Sequence, residues 1–488
     1  MGKDNLDGFY RSWLTRLPSL VESYIYDENK RLYPTRYLFL QFKDILKGFL
    51  ENSLSENEKI FIVPGIRGIG KTTLLMQLYS VEKFLQREED RPLLFSVSNL
   101  AERLYLDVSK LRLENIPLNE FLKFYERVKN LNWERLDKKV LILLDEVHYD
   151  ETWGLFLKNI FDRTKGHKNI LVIASGSSAL HLRMNPDLVR RSTVVEFYPL
   201  KFTEYLALKY HQEPREGLAT ELIESLFNSQ NGEEVFRRLK EKSKEVDSFF
   251  SALPEDVEEE YFKVGGFPFT IRVAHEVKRL ELIKNVIANI IARDILPLKK
   301  FKTQTLSKIG ELLYLLANSD IISYEKLTKT LKIGEYRTIN SLMETLILSG
   351  VITKVKSFGR YGGVRKTPKF LFIVPALRSA ILDGILPPEI EGKKLEDYFS
   401  LLFHKDLKNR IAEDLMFDSA EGGADFILRL KNRKIVIIEV GFHKEEINQI
   451  ALTKKKVKAS YAFLFGSRDL ALVDSYIVKI PLRYLLLI

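Results

Sequence analysis

The sequence predicts an α/β protein built on a parallel β-sheet, and three observations carry that expectation. Over residues 1–200, apolar runs of strand length alternate with helical stretches; one run breaks into a glycine-studded loop that opens a helix, and another ends in two adjacent carboxylates. Strands separated by helices of this length need crossover connections, which makes the sheet parallel and covers both of its faces.

The loop lies in residues 59–78, KIFIVPGIRGIGKTTLLMQL. Gly65, Gly70, Lys71 and Thr72 have the spacing G-x-x-x-x-G-K-[ST] of a phosphate-binding loop (P-loop), set between an apolar strand and a helix. The chemistry requires these residue types. Glycines let backbone N–H groups close around a β-phosphate, the helix N-terminus adds its dipole, Lys71 reaches the β- and γ-oxygens, and Thr72 holds Mg²⁺. The expected ATP-binding segment is therefore Gly65, Ile66, Arg67, Gly68, Ile69, Gly70, Lys71, Thr72 and Thr73, with ATP and Mg²⁺ as cofactors. Ahead of it, residues 1–58, with a turn at Tyr33-Pro34-Thr35-Arg36 and a helix over 37–50, are expected to brace the nucleotide base.

After the loop, PLLFSV (92–97), KKVLILLDE (138–146), NILVIASGS (169–177) and TVVEFY (193–198) read as further strands. The second delivers Asp145 and Glu146 to the carboxyl edge of the sheet, where open α/β sheets bind ligands. Asp145 is expected to share the metal with Thr72, and Glu146 to polarise the attacking water. An isolated Asp-Glu pair reads equally well as a helix cap. Ser175-Gly176-Ser177-Ser178 offers a polar sensor for the γ-phosphate or a plain turn, and Arg190-Arg191 offers a phosphate-facing arginine or a solvated basic pair.

Composition bounds the rest. The chain has 488 residues, room for about three domains, with 45% hydrophobic and 29% charged residues. Lys and Arg outnumber Asp and Glu by 76 to 66, giving a net charge of +10, compatible with nucleic acid and equally with a mixed charged surface. There is no cysteine, hence no disulfide or thiolate site. The start, MGKDNLDGFYRSW, has neither an apolar core nor a cleavage site, and apolar runs such as VLILL (140–144) are of strand length. A cytoplasmic chain without a membrane span is expected.

From about 200 to 300 the pattern is helical and charged, broken at Gly265-Gly266 and Pro268, and reads as a helical lid. Three helical segments follow over 304–350, then VITKVKSF and KFLFIV around the turn GRYGGVRKT. Three short helices and a β-hairpin make a winged helix-turn-helix, a fold that places its third helix in a DNA major groove or serves protein contacts. Tyr336, Arg337 and Asn340 lie near the start of that helix, and Lys354, Lys356, Arg360, Arg365 and Lys366 lie on the wing, where cations neutralise phosphates. Beyond the linker DGILPPEIEGKK (383–394), a helix from Leu395 leads to a hairpin, GADFILRL and IVIIEVGFHKE, that brings Asp425 and Glu439 together at a sheet edge. An ordinary charged hairpin is the other reading.

Taken together, GIRGIGKTTLLMQL, LLDEVHYDETW, ASGSSA and RSTVVEFYPLKFTEYL resemble the AAA-type P-loop ATPases of archaea and bacteria whose loop reads approximately G-x-R-x-x-G-K-T-T. VGGFPF (264–269), ARDI (292–295) and TPKFLFIVPALRSAIL (367–382) resemble the uncharacterised C-terminal region these ATPases carry. The resemblance implies that Arg67 is the loop arginine, Ser177 the sensor and Arg191 the arginine finger, while Ile66 and Gly68 stand where Pro and Arg are commoner. A finger given in trans implies a homo-oligomer or a protein partner. The last segment resembles the PD-(D/E)xK nuclease fold, with Glu396 as its helix acid beside Asp425 and Glu439. Gly441 stands where that pattern has its lysine, leaving Lys444 or Lys454, Lys455 and Lys456 to reach back, so the resemblance implies a domain kept for binding rather than cleavage.

The sequence thus predicts an ATPase core over 1–200, a helical lid over 201–300, a winged helix over 301–382 and a small α/β nuclease-like domain over 395–488. Catalysis is expected from Lys71, Asp145, Glu146 and Arg191, with double-stranded DNA as a partner. The rivals are a regulatory NTPase switch contacting protein and an ATP-gated, metal-dependent nuclease.

Overall fold

The computed structural model describes residues 3–98, 100–176, 188, 190–295, 303–319, 321–333, 335–359, 367–384 and 388–488. The chain divides into two compact units, Met1–Phe197 and Tyr198–Ile488. In the first, helices α1 (Lys3–Ile25) and α2 (Tyr37–Leu50) precede β1 (Ile60–Pro64), α3 (Lys71–Tyr79) and α4 (Arg91–Val97). Then come β2 (Glu102–Asp107), α5 (Val108–Leu113), α6 (Leu118–Val128), β3 (Val140–Asp145), α7 (Trp153–Arg163), β4 (Ile170–Gly176) and β5 (Thr193–Val194).

Among the described residues the five strands form one parallel sheet in the order β2-β3-β4-β1-β5. Every residue of β1, β3 and β4 is buried, as central parallel strands with helices on both faces require. The order sets the carboxyl ends of β1, β4 and β3 side by side. No described helix is long and apolar enough to cross a membrane.

PLLFSV is not a strand. It forms α4, where Leu93 and Val97 are buried one helical turn apart while Leu94 and Phe95 are exposed, a period that suits a helix and not a sheet. The strand beside β3 is instead ERLYLD, whose charged ends fit an edge position. TVVEFY pairs with β1 at Thr193–Val194, and the N–H groups of Val195 and Phe197 continue the bonding to Ile62 and Pro64 carbonyls, each at 2.9 Å.

The second unit begins with α8 (Phe202–Tyr210), α9 (Leu218–Phe227), α10 (Gly232–Ser251), α11 (Val257–Val264) and α12 (Glu276–Asn289). Next are α13 (Thr303–Asn318), α14 (Tyr324–Leu331), α15 (Tyr336–Leu348), β6 (Ile352–Ser357), β7 (Lys369–Phe372), α16 (Pro375–Ile381) and α17 (Pro388–Leu402). The chain ends with β8 (Ala412–Phe417), β9 (Phe426–Leu430), β10 (Ile435–Val440), α18 (Asn448–Lys454), β11 (Tyr461–Ser467), β12 (Ala471–Val473), β13 (Ile477–Pro481) and α19 (Leu482–Leu486).

The described strands of this unit make one mixed sheet, β12-β13-β11-β10-β9-β8-β6-β7. The hairpin β6–β7 therefore does not stand apart: Lys356 and Ser357 of β6 pair in parallel with Met416 and Phe417 of β8. Helix α9 is tied to the same sheet, the Tyr461 hydroxyl of β11 donating to the Leu226 carbonyl at 2.8 Å, and α10 is tied to α19, the Tyr484 hydroxyl donating to the Leu239 carbonyl at 3.4 Å. Much of the expected linker is helical, since α17 starts at Pro388 and buries Ile390 and Lys394 on one face.

One buried ion pair holds this unit's centre. Arg378 of α16 and Asp397 of α17, both fully buried, meet through two parallel bonds of 2.7 and 2.8 Å. Arg378 also donates to the Ala317 carbonyl at 2.6 Å, and Asp397 accepts the Phe372 N–H at 2.8 Å. Arg378→Met leaves a buried carboxylate uncompensated and is expected to cost about 3–5 kcal/mol, read from the denaturant midpoint of this unit's unfolding. An unchanged midpoint would show that the pair does not hold the unit together.

Candidate nucleotide site

The phosphate loop is shaped by two left-handed glycines, Gly68 at φ 80° and Gly70 at φ 97°, the latter directly preceding α3. Gly65 is required for a different reason, because a Cβ there would lie 2.6 Å from the Phe197 carbonyl oxygen. The Lys71 ammonium is buried and donates to the Gly65 and Ile66 carbonyls, both at 2.9 Å, so it lies folded along the loop it serves. Arg67 is half-buried and Gly68 exposed at the loop tip. Arg36 braces the loop from outside, donating to the Ile69 carbonyl at 2.7 Å with its guanidinium 4.2 Å over the Phe197 ring.

Asp145 ends β3 and gathers the site. Its Oδ2 accepts the Thr72 hydroxyl at 2.6 Å and the Tyr105 hydroxyl at 3.2 Å; its Oδ1 accepts the Ser175 hydroxyl and the Glu146 N–H, the latter at 3.0 Å. Ser175 reaches it because β4 lies between β1 and β3, where Ala174 is level with Leu144 and Ser175 with Val63. Burial, and then the Glu146 charge, push the Asp145 carboxyl up from its usual range, against the lowering effect of the Ser175 and Thr72 hydroxyls. Burial and the Asp145 charge push the Tyr105 phenol well above its usual value, which keeps it a hydrogen-bond donor.

Glu146 is held differently. Its backbone is left-handed at φ 53°, uncommon for a residue other than glycine, and its side chain turns toward His148, whose Nε2 lies 3.4 Å from Oε2. With 21% of its side chain exposed, Glu146 is the member of the pair that water can reach.

The Thr72 hydroxyl and the Asp145 carboxylate are hard oxygen donors already within hydrogen-bond distance of one another, which suits Mg²⁺. Bound there, the metal would neutralise developing charge on the transferred phosphoryl group.

Arg191 is not brought to its own chain's phosphate loop. The register sets Thr193 opposite Phe61, so Arg191 lies toward the amino edge of the sheet, roughly 20 Å of strand rise from Gly65, and its Nε is 3.4 Å from Asp162. Ser177 lies outside the described residues. Tyr105, Ser175 as an Asp145 partner, Arg36 and Trp13 were not singled out from sequence. The misplaced edge strand hid Tyr105, and only an alternating short strand before the acidic pair could have pointed to it.

In the second unit, Tyr336 and Arg337 are exposed at the start of α15, and the half-buried Asn340 donates to Glu344 at 2.9 Å. Arg360, Arg365 and Lys366 fall outside the described residues. Glu396, Asp425 and Glu439 do converge: the Asp425 N–H donates to Glu439 at 3.1 Å, and the Lys369 ammonium of β7 meets Glu396 and lies 3.5 Å from Asp425. Lys444 binds Glu439 and donates to Gln449 at 2.6 Å, its stem filling the space a side chain at Gly441 would need. Burial and the Asp425 charge push the Glu439 carboxyl upward. Lys444 is thus the lysine that reaches back beside Glu439, while Lys369 is paired with Glu396 and Asp425. Among the described residues no group of three or more His, Asp or Glu is arranged to hold a metal.

An AAA domain model matches residues 57–206, and a domain of unknown function, DUF8612, matches residues 255–385. Uncharacterized protein MJ1637 of Methanocaldococcus jannaschii is 33% identical over 455 residues, covering 91% of this chain and 88% of its own length. MJ1544 of the same organism is 23% identical over 406 residues, 80% of this chain and 74% of its own. Among solved structures, the Walker-type ATPase PABY2304 of Pyrococcus abyssi matches with a TM-score of 0.37 and 15% identity, over 70% of this chain and 95% of that one.

Proposed function

Because the chain belongs to the AAA-type P-loop ATPases, in one family with MJ1637, we propose that it hydrolyses ATP and converts the nucleotide state into a conformational change delivered to DNA. The observation that carries the ATPase reading is the Thr72–Asp145 hydrogen bond, which joins the phosphate loop to the acidic pair across the intervening strand β4. In the proposed reaction the loop N–H groups and Lys71 hold the β- and γ-phosphates. Glu146 takes a proton from water as its oxygen bonds to the γ-phosphorus, and the bond from that phosphorus to the β,γ-bridging oxygen breaks, leaving ADP and phosphate. Asp145, with its hydrogen bonds made, stays fixed while Glu146 does the proton work. Arg191, turned away from its own loop, is in this reading offered to a neighbouring copy.

The DNA-facing part rests on the exposed Tyr336 and Arg337 at the start of α15 and on exposed Lys354 and Lys356 of β6. A second reading, a switch whose winged helix meets protein, is favoured by Glu344, an acid on the exposed side of α15 that engages Asn340. ATPase rate and duplex binding measured at about 50 and 200 mM salt separate the two. DNA association predicts stimulation and an affinity that falls steeply across this range. No stimulation and no salt-sensitive binding would leave the switch. Plasmid DNA incubated with Mn²⁺ and any nucleotide is expected to stay intact, since Lys369 already pairs with Glu396 and Asp425, two of the three carboxylates that would carry cleavage; nicked plasmid would restore the nuclease reading.

A further inference from the structure

We infer that Tyr105 is a positioning residue for the metal-binding carboxylate, and that helix α1 controls it through Trp13, which makes the N-terminal helix part of the ATPase machinery. The inference rests on the ATPase reading above and extends it to residues that no motif marks.

Tyr105 lies on β2, the edge strand beside β3, level with Leu143, and its side chain is almost wholly buried. Its hydroxyl donates to Asp145 Oδ2, the same oxygen that takes the Thr72 hydroxyl. The other oxygen is filled by Ser175 and the Glu146 N–H, so the carboxylate is held at both oxygens and cannot turn without breaking one set of bonds. Tyr105 is the donor from the strand on the side away from β4, and without it Oδ2 keeps Thr72 alone.

The phenol is itself placed from a distance. The Trp13 indole stacks on the Tyr105 ring at 5.9 Å between centroids and 16° between planes, and its N–H donates to the Tyr105 carbonyl at 2.9 Å. Trp13 sits on α1, whose Phe9 and Tyr10 pack against Phe121 of α6, so the helix is anchored to the core on one side and to β2 on the other. A shift of α1 therefore moves the Tyr105 backbone and ring together, and with them the oxygen that Asp145 offers to Mg²⁺. The expected base-bracing role of the first residues becomes, in this account, a metal-positioning one.

The test is equilibrium binding of a fluorescent ATP analogue to the full chain as Mg²⁺ is titrated, a readout independent of turnover. Tyr105→Phe keeps the ring and its stacking but deletes the hydroxyl. The Mg²⁺ concentration that supports half-maximal binding is expected to rise about tenfold, the loss of one hydrogen bond to a charged group, with metal-free affinity unchanged. Trp13→Phe, which keeps an aromatic stack but loses the N–H, is expected to shift the requirement in the same direction by less. A wild-type Mg²⁺ requirement in Tyr105→Phe overturns the inference while leaving the ATPase reading in place. A wild-type chain that binds no nucleotide at any Mg²⁺ concentration overturns both.

Discussion

Lys71→Ala is expected to lower ATP affinity by about 10²–10³-fold, because the ammonium is a full positive charge expected to face the β- and γ-oxygens and each such contact is a charge-assisted hydrogen bond. The deletion is local. Lys71 lies along the loop, donating to the Gly65 and Ile66 carbonyls of that same loop, so the sheet behind it should be undisturbed. A fluorescent ATP titration checks the affinity, and a melting curve checks the fold. Wild-type affinity in this variant would remove the phosphate-loop assignment, and with it the reading of the whole first unit.

Glu146→Gln is expected to separate binding from chemistry. Glutamine keeps the shape and the polar contact toward His148 but cannot take up a proton from water, so ATP should bind within a few-fold of wild type while turnover falls by about 10²–10⁴. Single-turnover phosphate release beside equilibrium binding reads both quantities. The contrast with Asp145 gives the prediction its edge. Asp145 accepts from Thr72, Tyr105, Ser175 and the Glu146 N–H, a carboxylate fixed by its bonds, whereas Glu146 is partly exposed on a left-handed turn. A variant that turned over normally would place the proton acceptor elsewhere.

Both variants lie in segments that the sequence alone marks out. The phosphate loop, the apolar strand before it and the helix after it are contiguous, so their chemistry follows from local geometry: glycine where the backbone must turn left-handed, lysine and threonine where the helix opens. The acidic pair is legible for the same reason, as a buried strand must end by delivering its next residues to the sheet edge. The helices of the second unit were readable too, α13, α14 and α15 from their periodicity and the hairpin from its turn. Reading failed where apolar content misled: PLLFSV is apolar enough for a strand, yet its buried residues recur with the period of a helix, and the true strand ERLYLD is charged because it lies at an edge.

By itself, then, the sequence picked out the glycine-studded loop and the acidic pair as the candidate site, because neighbours along the chain fix those positions. Tertiary structure decided what stands beside them. Strand order alone puts β4 between β1 and β3 and hands Ser175 to Asp145; the docking of α1 alone sets Trp13 on Tyr105, 92 residues away. In the second unit, strand pairing carries Lys369 of the hairpin to Glu396 and Asp425, and the turn after β10 lets Lys444 fill the space beside Gly441. These partners are chosen by how helices and strands pack to bury apolar surface, a property of the whole chain that no short stretch of it contains.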